Sequence, residues 1–160
     1  MKTTGYLGTH PETRPRIFAH RGLTFQGNTQ VADENTLTAF ELALEAGADY
    51  LESDIQVTKD GVPVLFHDED LKRLLGKKTL ISDLTLSEVK TVRLPLQGQI
   101  PTLSEALSKF PDAKFNLDIK TSRGEQVGIT TILESGAAER VLVSSFSEGS
   151  RKRALANSPT

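Results

Sequence analysis

At 160 residues the chain has room for one domain with a real hydrophobic core. Hydrophobic residues make up 37% and charged residues 25%, with a formal net charge of -2, which argues against a disordered chain and against nucleic acid or an anionic membrane as partner. There are no cysteines, so disulfides and thiolate metal sites are excluded. No apolar run approaches the roughly 20 residues of a membrane helix. The first residues, MKTTGYLGTHPETRPR, have no signal-peptide core, which makes the cytoplasm the default location.

Residues 1–15 read as a loose lead-in in which His10 is a solvated bystander. Arg16 to Ala19 is a short apolar strand that runs into His20-Arg21-Gly22. Residues 23–33 look like a polar loop, after which Asn35 or Thr36 can cap a helix reaching about Ala46, with Leu37, Phe40 and Leu44 on one face and Gly47 as its stop.

The most informative stretch follows, from Asp49 to Asp68. Leu51, Ser53, Ile55 and Val57 fall on one face of a period-2 strand, and Glu52, Asp54 and Gln56 on the other. At strand rise the two carboxylates stand roughly 6.5 Å apart on the same side, close enough to converge on one cation. A solvated face of an antiparallel strand gives the same alternation, and this stretch alone does not choose between the two. After the Lys59-Asp60-Gly61 turn, a second apolar run ends in His67-Asp68.

Short helices and connections fill Glu69 to Ile100, with capping-box spacing at Thr85/Glu88 and again at Thr102/Glu105. Lys114 to Lys120 repeats the earlier alternation, with Phe115, Leu117 and Ile119 opposite Asn116, Asp118 and Lys120. A helix from Glu125 to Glu134 and a strand from Arg140 to Phe146 follow, and a further helix starts after Ser147. Such alternation predicts an α/β fold with mostly parallel strands. Acids along one strand face and histidines at strand ends favour a closed barrel, whose C-terminal mouth gathers groups of this kind.

In order along the chain stand His20-Arg21-Gly22, Glu34-Asn35-Thr36, Phe40, Gly47-Ala48-Asp49, Glu52-x-Asp54, Thr58-Lys59-Asp60-Gly61, His67-Asp68 and Ile100-Pro101-Thr102-Leu103. Together they resemble the glycerophosphodiester phosphodiesterase family, a branch of the phosphatidylinositol-phospholipase-C-like barrels. The resemblance runs from about Arg16 onward and implies a (β/α)8 TIM-type barrel. It further implies that Glu52, Asp54 and Asp118 bind a divalent cation, Mg2+ or Ca2+, and that His20 and His67 are the acid–base pair. Arg21 and Lys120 match groups that hold the substrate phosphate, while Glu34 matches either a further ligand or an anchor behind the metal site, with Asn35 also behind it. Asp33 stands where the family commonly has Pro, and Asp118 where it often has Glu.

All-oxygen ligation suits the hard cations that neutralise phosphoryl charge, imidazoles exchange protons around neutral pH, and Arg suits bidentate phosphate contact. The implied reaction is hydrolysis of a glycerophosphodiester, a small molecule, to glycerol 3-phosphate and an alcohol. The alternatives are a lysophospholipid-cleaving member of the same superfamily and an inactive phosphodiester- or metal-binding module. Ser144 and Ser145 are expected to pack or to stand behind the site. Strands are expected near residues 16–20, 49–57, 62–66, 114–119 and 140–145, five in all. A full barrel takes about 250 residues, so the domain of residues 16–160 is expected to be the N-terminal part of one. Nothing in the sequence specifies an oligomeric state.

Overall fold

A computed structural model describes Tyr6 and residues 14–144. His10, Ser145 and the expected C-terminal helix lie outside the described residues. In chain order the elements are β1 (Phe18–His20), β2 (Phe25–Gln26), β3 (Thr29–Gln30), α1 (Leu37–Glu45), β4 (Tyr50–Val57) and β5 (Pro63–Leu65). After them come α2 (Lys72–Leu75), α3 (Leu86–Val89), α4 (Leu103–Lys109), β6 (Lys114–Ile119), α5 (Ser122–Glu134) and β7 (Val141–Ser144).

Strands β1, β4, β6 and β7 are parallel neighbours in that order, and β4 is the axis of the sheet. Tyr50–Ile55 of this strand pair with β6 along one edge. The other edge is shared, with β1 parallel to Tyr50–Glu52 and β5 antiparallel to Ile55–Val57. The five expected strands are therefore all present, four of them parallel. The third folds back because the Thr58–Gly61 turn is too short for a crossover: Thr58 donates to Asp60 and receives Val62 N–H.

Local signals account for most helix ends. Thr36, not Asn35, caps α1 and receives Ala39 N–H at 3.2 Å. Both capping boxes form, at Thr85/Glu88 and at Thr102/Glu105. The expected loop at 23–33 contains a hairpin instead, because Gly27 adopts φ +58 and turns β2 back onto β3.

The period-2 pattern of β4 and β6 divides the sheet into two chemically distinct faces. Leu51, Ile55, Phe115, Leu117 and Ile119 are buried under α1, α4 and α5 with Phe40, Leu103, Leu107 and Ile132. Phe40 meets the rings of Phe110 and Phe115 edge-on. A second cluster, of Val64, Phe66, Leu71, Ile81, Val89, Leu94 and Ile100, anchors the segment between β5 and α4. The opposite face carries Phe18, His20, Tyr50, Glu52, Asp54, Asn116, Asp118, Leu142 and Ser144. Among the described residues no helix is long and apolar enough to cross a membrane.

Candidate active site

The site lies at the C-terminal ends of the parallel strands. His20 ends β1 beside Glu52, with 4.0 Å between its Nε2 and Glu52 Oε2. One row further along, Asp54 of β4 sits in register with Asp118 of β6. Adjacent strands are about 4.8 Å apart, so these side chains project as neighbours from one face.

The turn after β1 aims Arg21 across these acids. Arg21 adopts φ +58, its N–H donates to Glu52 Oε2 at 3.1 Å, and its guanidinium reaches Glu34 Oε1 at 3.3 Å. A non-glycine residue in the left-handed region stores strain and needs surrounding contacts to hold it. Part of that support is Asn35, also at φ +57, whose N–H donates to Arg21 O. Ser53 donates to Asn35 Oδ1 at 2.7 Å from the buried side of β4, so Asn35 acts from behind the site. Gly22 follows with φ +84, and a Cβ there would lie 2.7 Å from the backbone and Cβ of Ala39. We therefore expect Gly22→Ala to lower stability by about 2–4 kcal/mol in a urea melt.

Lys120, just past the end of β6, points back into the acids: its Nζ lies 3.0 Å from Asp54 Oδ1 and 4.0 Å from Asp118 Oδ2, and donates to His67 O at 3.3 Å. On the far side of the site, His67 Nδ1 lies 2.8 Å from Asp68 Oδ1. An ionised carboxylate only accepts, so Nδ1 carries a proton and donates to Asp68.

Burial raises the Glu52 carboxyl above its ordinary pKa, and the charge of Asp54 raises it further. Burial also raises Asp118, where the opposing pull of Lys120 does not offset burial and the charge of Asp54. Asp54 Oδ2 is buried without a hydrogen bond, 3.6 Å from an equally unpartnered Arg21 Nε, and Asn116 Oδ1 on the same face is also unpartnered. Among the described residues no three acids or histidines converge as a finished ligand set; cationic side chains hold Asp54 instead. Crowded carboxylates, with Glu52 and Asp118 raised by burial and an unpartnered buried oxygen on Asp54, have the all-oxygen donor chemistry of a hard divalent cation, so the residues fit such an ion.

All nine residues expected from the sequence thus belong to this region, eight around the acids and Asn35 behind them. Three other contributors were not among the site residues expected from the sequence. Ser53 holds Asn35, Arg73 of α2 bonds both Glu34 and Asp68, and Asp33 accepts from Leu96 and Gly98 N–H to tie the Glu34 turn to a distant loop. Ser144 Oγ donates to Leu117 O at 3.4 Å, a packing role as expected.

Fold and site together define part of a (β/α)8 barrel with carboxylates, imidazoles and cationic side chains gathered at the C-terminal ends of its strands. The chain belongs to the glycerophosphoryl diester phosphodiesterase family, whose model matches residues 20–157. A glycerophosphodiester phosphodiesterase of Bacillus altitudinis is 38% identical over 153 residues, covering 84% of this chain and 59% of that protein. A human lysophospholipase D is 34% identical over 124 residues, covering 69% of this chain and 40% of its own length. The chain thus spans about three-fifths or less of these relatives. Among solved structures, the Thermotoga maritima glycerophosphodiester phosphodiesterase superposes with a TM-score of 0.77 at 32% identity, over 92% of this chain and 61% of that one. An Oleispira antarctica phosphodiesterase, solved with the product sn-glycerol-3-phosphate, superposes with a TM-score of 0.72 at 32% identity, over 89% of this chain and 62% of that one.

Proposed function

We propose that the chain carries the catalytic groups of a divalent-cation-dependent hydrolase that cleaves glycerophosphodiesters to sn-glycerol 3-phosphate and an alcohol. The observation that carries this reading is the in-register pair Asp54 and Asp118, with an orphaned oxygen on Asp54, in a site to which β1 brings His20 and the segment just past β5 brings His67. The family membership and the product found in the Oleispira antarctica relative support the glycerophosphate half of the substrate.

A phosphodiester is an anion that repels nucleophiles, so its charge must be neutralised before an oxygen can attack phosphorus. Glu52, Asp54 and Asp118 would hold Mg2+ or Ca2+, which when bound supplies Lewis-acid stabilisation of the phosphoryl oxygens. Arg21 provides a planar guanidinium beside those oxygens, and Lys120 a compact charge once it is drawn off Asp54. His20 and His67 divide the two proton transfers, one taking the proton of the attacking oxygen and the other protonating the departing alkoxide. Asp68 fixes the His67 ring so that Nε2 is the working nitrogen. Glu34, bonded to Arg21 and Arg73, steadies the arginine rather than meeting the phosphate.

The similarity to a lysophospholipase D supplies the competing substrate class. With the full chain and Mg2+ or Ca2+, glycerophosphocholine is expected to be turned over at a kcat/KM at least ten times that for lysophosphatidylcholine. The reverse order would assign the lysophospholipid reaction, and turnover of neither, with either one bound tightly, would assign a binding module.

A further inference from the structure

Helix α2 has four residues and buries none of them; the segment is anchored by Leu71, in the second core cluster, and by Lys72 N–H on Asp70 Oδ1. From this short helix a single side chain spans the rim of the site. Arg73 Nε donates to Asp68 Oδ2 at 2.7 Å, Nη1 donates to Glu34 Oε2 at 3.1 Å, and Nη2 to Glu34 Oε1. The two acids come from different segments, Glu34 before α1 and Asp68 after β5, and each also bonds a residue proposed to act on substrate. Asp68 holds His67 Nδ1 through its other oxygen, and Glu34 holds the Arg21 guanidinium.

We propose that Arg73 is a positioning residue of this site: one guanidinium that holds Asp68 against His67 and Glu34 against Arg21. The geometry requires such a tie. Asp68 sits on a loop with one oxygen on the imidazole; with the other oxygen unheld, the carboxylate can rotate and leave Nδ1 without its acceptor. Glu34 is in a similar position with respect to Arg21, whose guanidinium donates to Glu34 Oε1 at 3.3 Å. A planar fork with donors along two edges satisfies both acids at once, whereas an ammonium can reach only one of them well. Burial alone would raise the carboxyls of Glu34 and Asp68, and in both cases it is outweighed by the hydrogen bonds from their partners, Arg73 among them, which hold these groups below the usual range. One side chain outside the reacting groups is therefore linked through Asp68 to His67 and through Glu34 to Arg21.

The kinetic consequence rests on the hydrolase reading above, and the structural one does not. With the full chain, Arg73→Ala and Arg73→Lys would be compared with wild type by two measurements. The first is the 15N shift pair of the His67 ring without substrate. Wild type is expected to show the Nδ1–H form when neutral, Arg73→Ala a mixture with the Nε2–H form, and Arg73→Lys an intermediate. The second is hydrolysis of glycerophosphocholine. Arg73→Ala is expected to lower kcat about 10–100-fold, as loss of an outer-shell partner does, and to raise KM because Arg21 loses its brace; Lys should recover part of both. A purely structural role would reduce the active fraction, lowering kcat at unchanged KM and unchanged ring tautomer. That pattern, or wild-type kcat, KM and tautomer in Arg73→Lys, would overturn the proposal. If wild type itself fails to hydrolyse glycerophosphocholine, the hydrolase reading falls while the 15N result still decides the role of Arg73.

Discussion

His67→Ala is expected to lower kcat for glycerophosphocholine by about 10²–10⁴-fold while leaving divalent-cation affinity within a factor of about two. The imidazole is not among the groups proposed to hold the cation, and its Nδ1 bonds Asp68 rather than Glu52, Asp54 or Asp118. Its removal takes away a proton donor or acceptor and leaves Glu52, Asp54 and Asp118 in place. His20→Ala is expected to behave in the same way, with a smaller structural effect because its side chain is 70% exposed. Both effects would be read from steady-state kinetics beside a calorimetric titration of Mg2+ or Ca2+. His67→Ala with wild-type turnover across the pH range would remove that residue from the mechanism.

Substitution of the carboxylates is expected to separate binding from folding. Burial and Asp54 raise the Glu52 carboxyl, so its proton is held more tightly in the folded chain than in the unfolded one. The stability this contributes is present below the ordinary carboxylate value and is lost as pH rises through the raised one. At neutral pH without cation the ionised Glu52 is therefore a cost to the fold. Glu52→Gln, which can still accept Arg21 N–H, is expected to leave the cation-free Tm unchanged or higher. The same variant is expected to lose the rise in Tm that saturating Mg2+ or Ca2+ gives the wild type, because ligand-linked stabilisation needs the affinity that the carboxylate provides. Asp54→Asn should abolish the cation-induced shift and lower kcat/KM by at least about 10²-fold. A cation-induced shift of wild-type size in both variants would place the ion elsewhere.

Much of this site was legible in the sequence because its largest determinants are local or periodic. Alternation along Leu51–Val57 and Phe115–Ile119 is enough to put Glu52, Asp54 and Asp118 on the face opposite the core. Thr85/Glu88 and Thr102/Glu105 form their boxes because both partners lie within one turn. The hairpin at Phe25–Gln30 was also within reach, since Gly27-Asn28 is a two-residue turn signal between two short runs, but the polar composition of residues 23–33 masked it. Other features depend on long-range geometry that no spacing reveals. Arg73 meets Glu34 across 39 positions, Asp33 meets Leu96 across 63, and Ser53 meets Asn35 from the far face of a strand. Lys120 was expected at the substrate phosphate from the resemblance. Its ion pair with Asp54 follows from the in-register packing of β4 on β6, which a sequence does not display.

In the proposed mechanism a divalent cation held by Glu52, Asp54 and Asp118 is needed for the two histidines to cleave a glycerophosphodiester. The most direct test of this requirement is release of sn-glycerol 3-phosphate from glycerophosphocholine by the full chain, first with all divalent cations chelated and then as Mg2+ or Ca2+ is added back. No release above background is expected in chelator, with a saturable return on adding cation to the wild type and no return in Asp54→Asn. Undiminished release in chelator would contradict the mechanism.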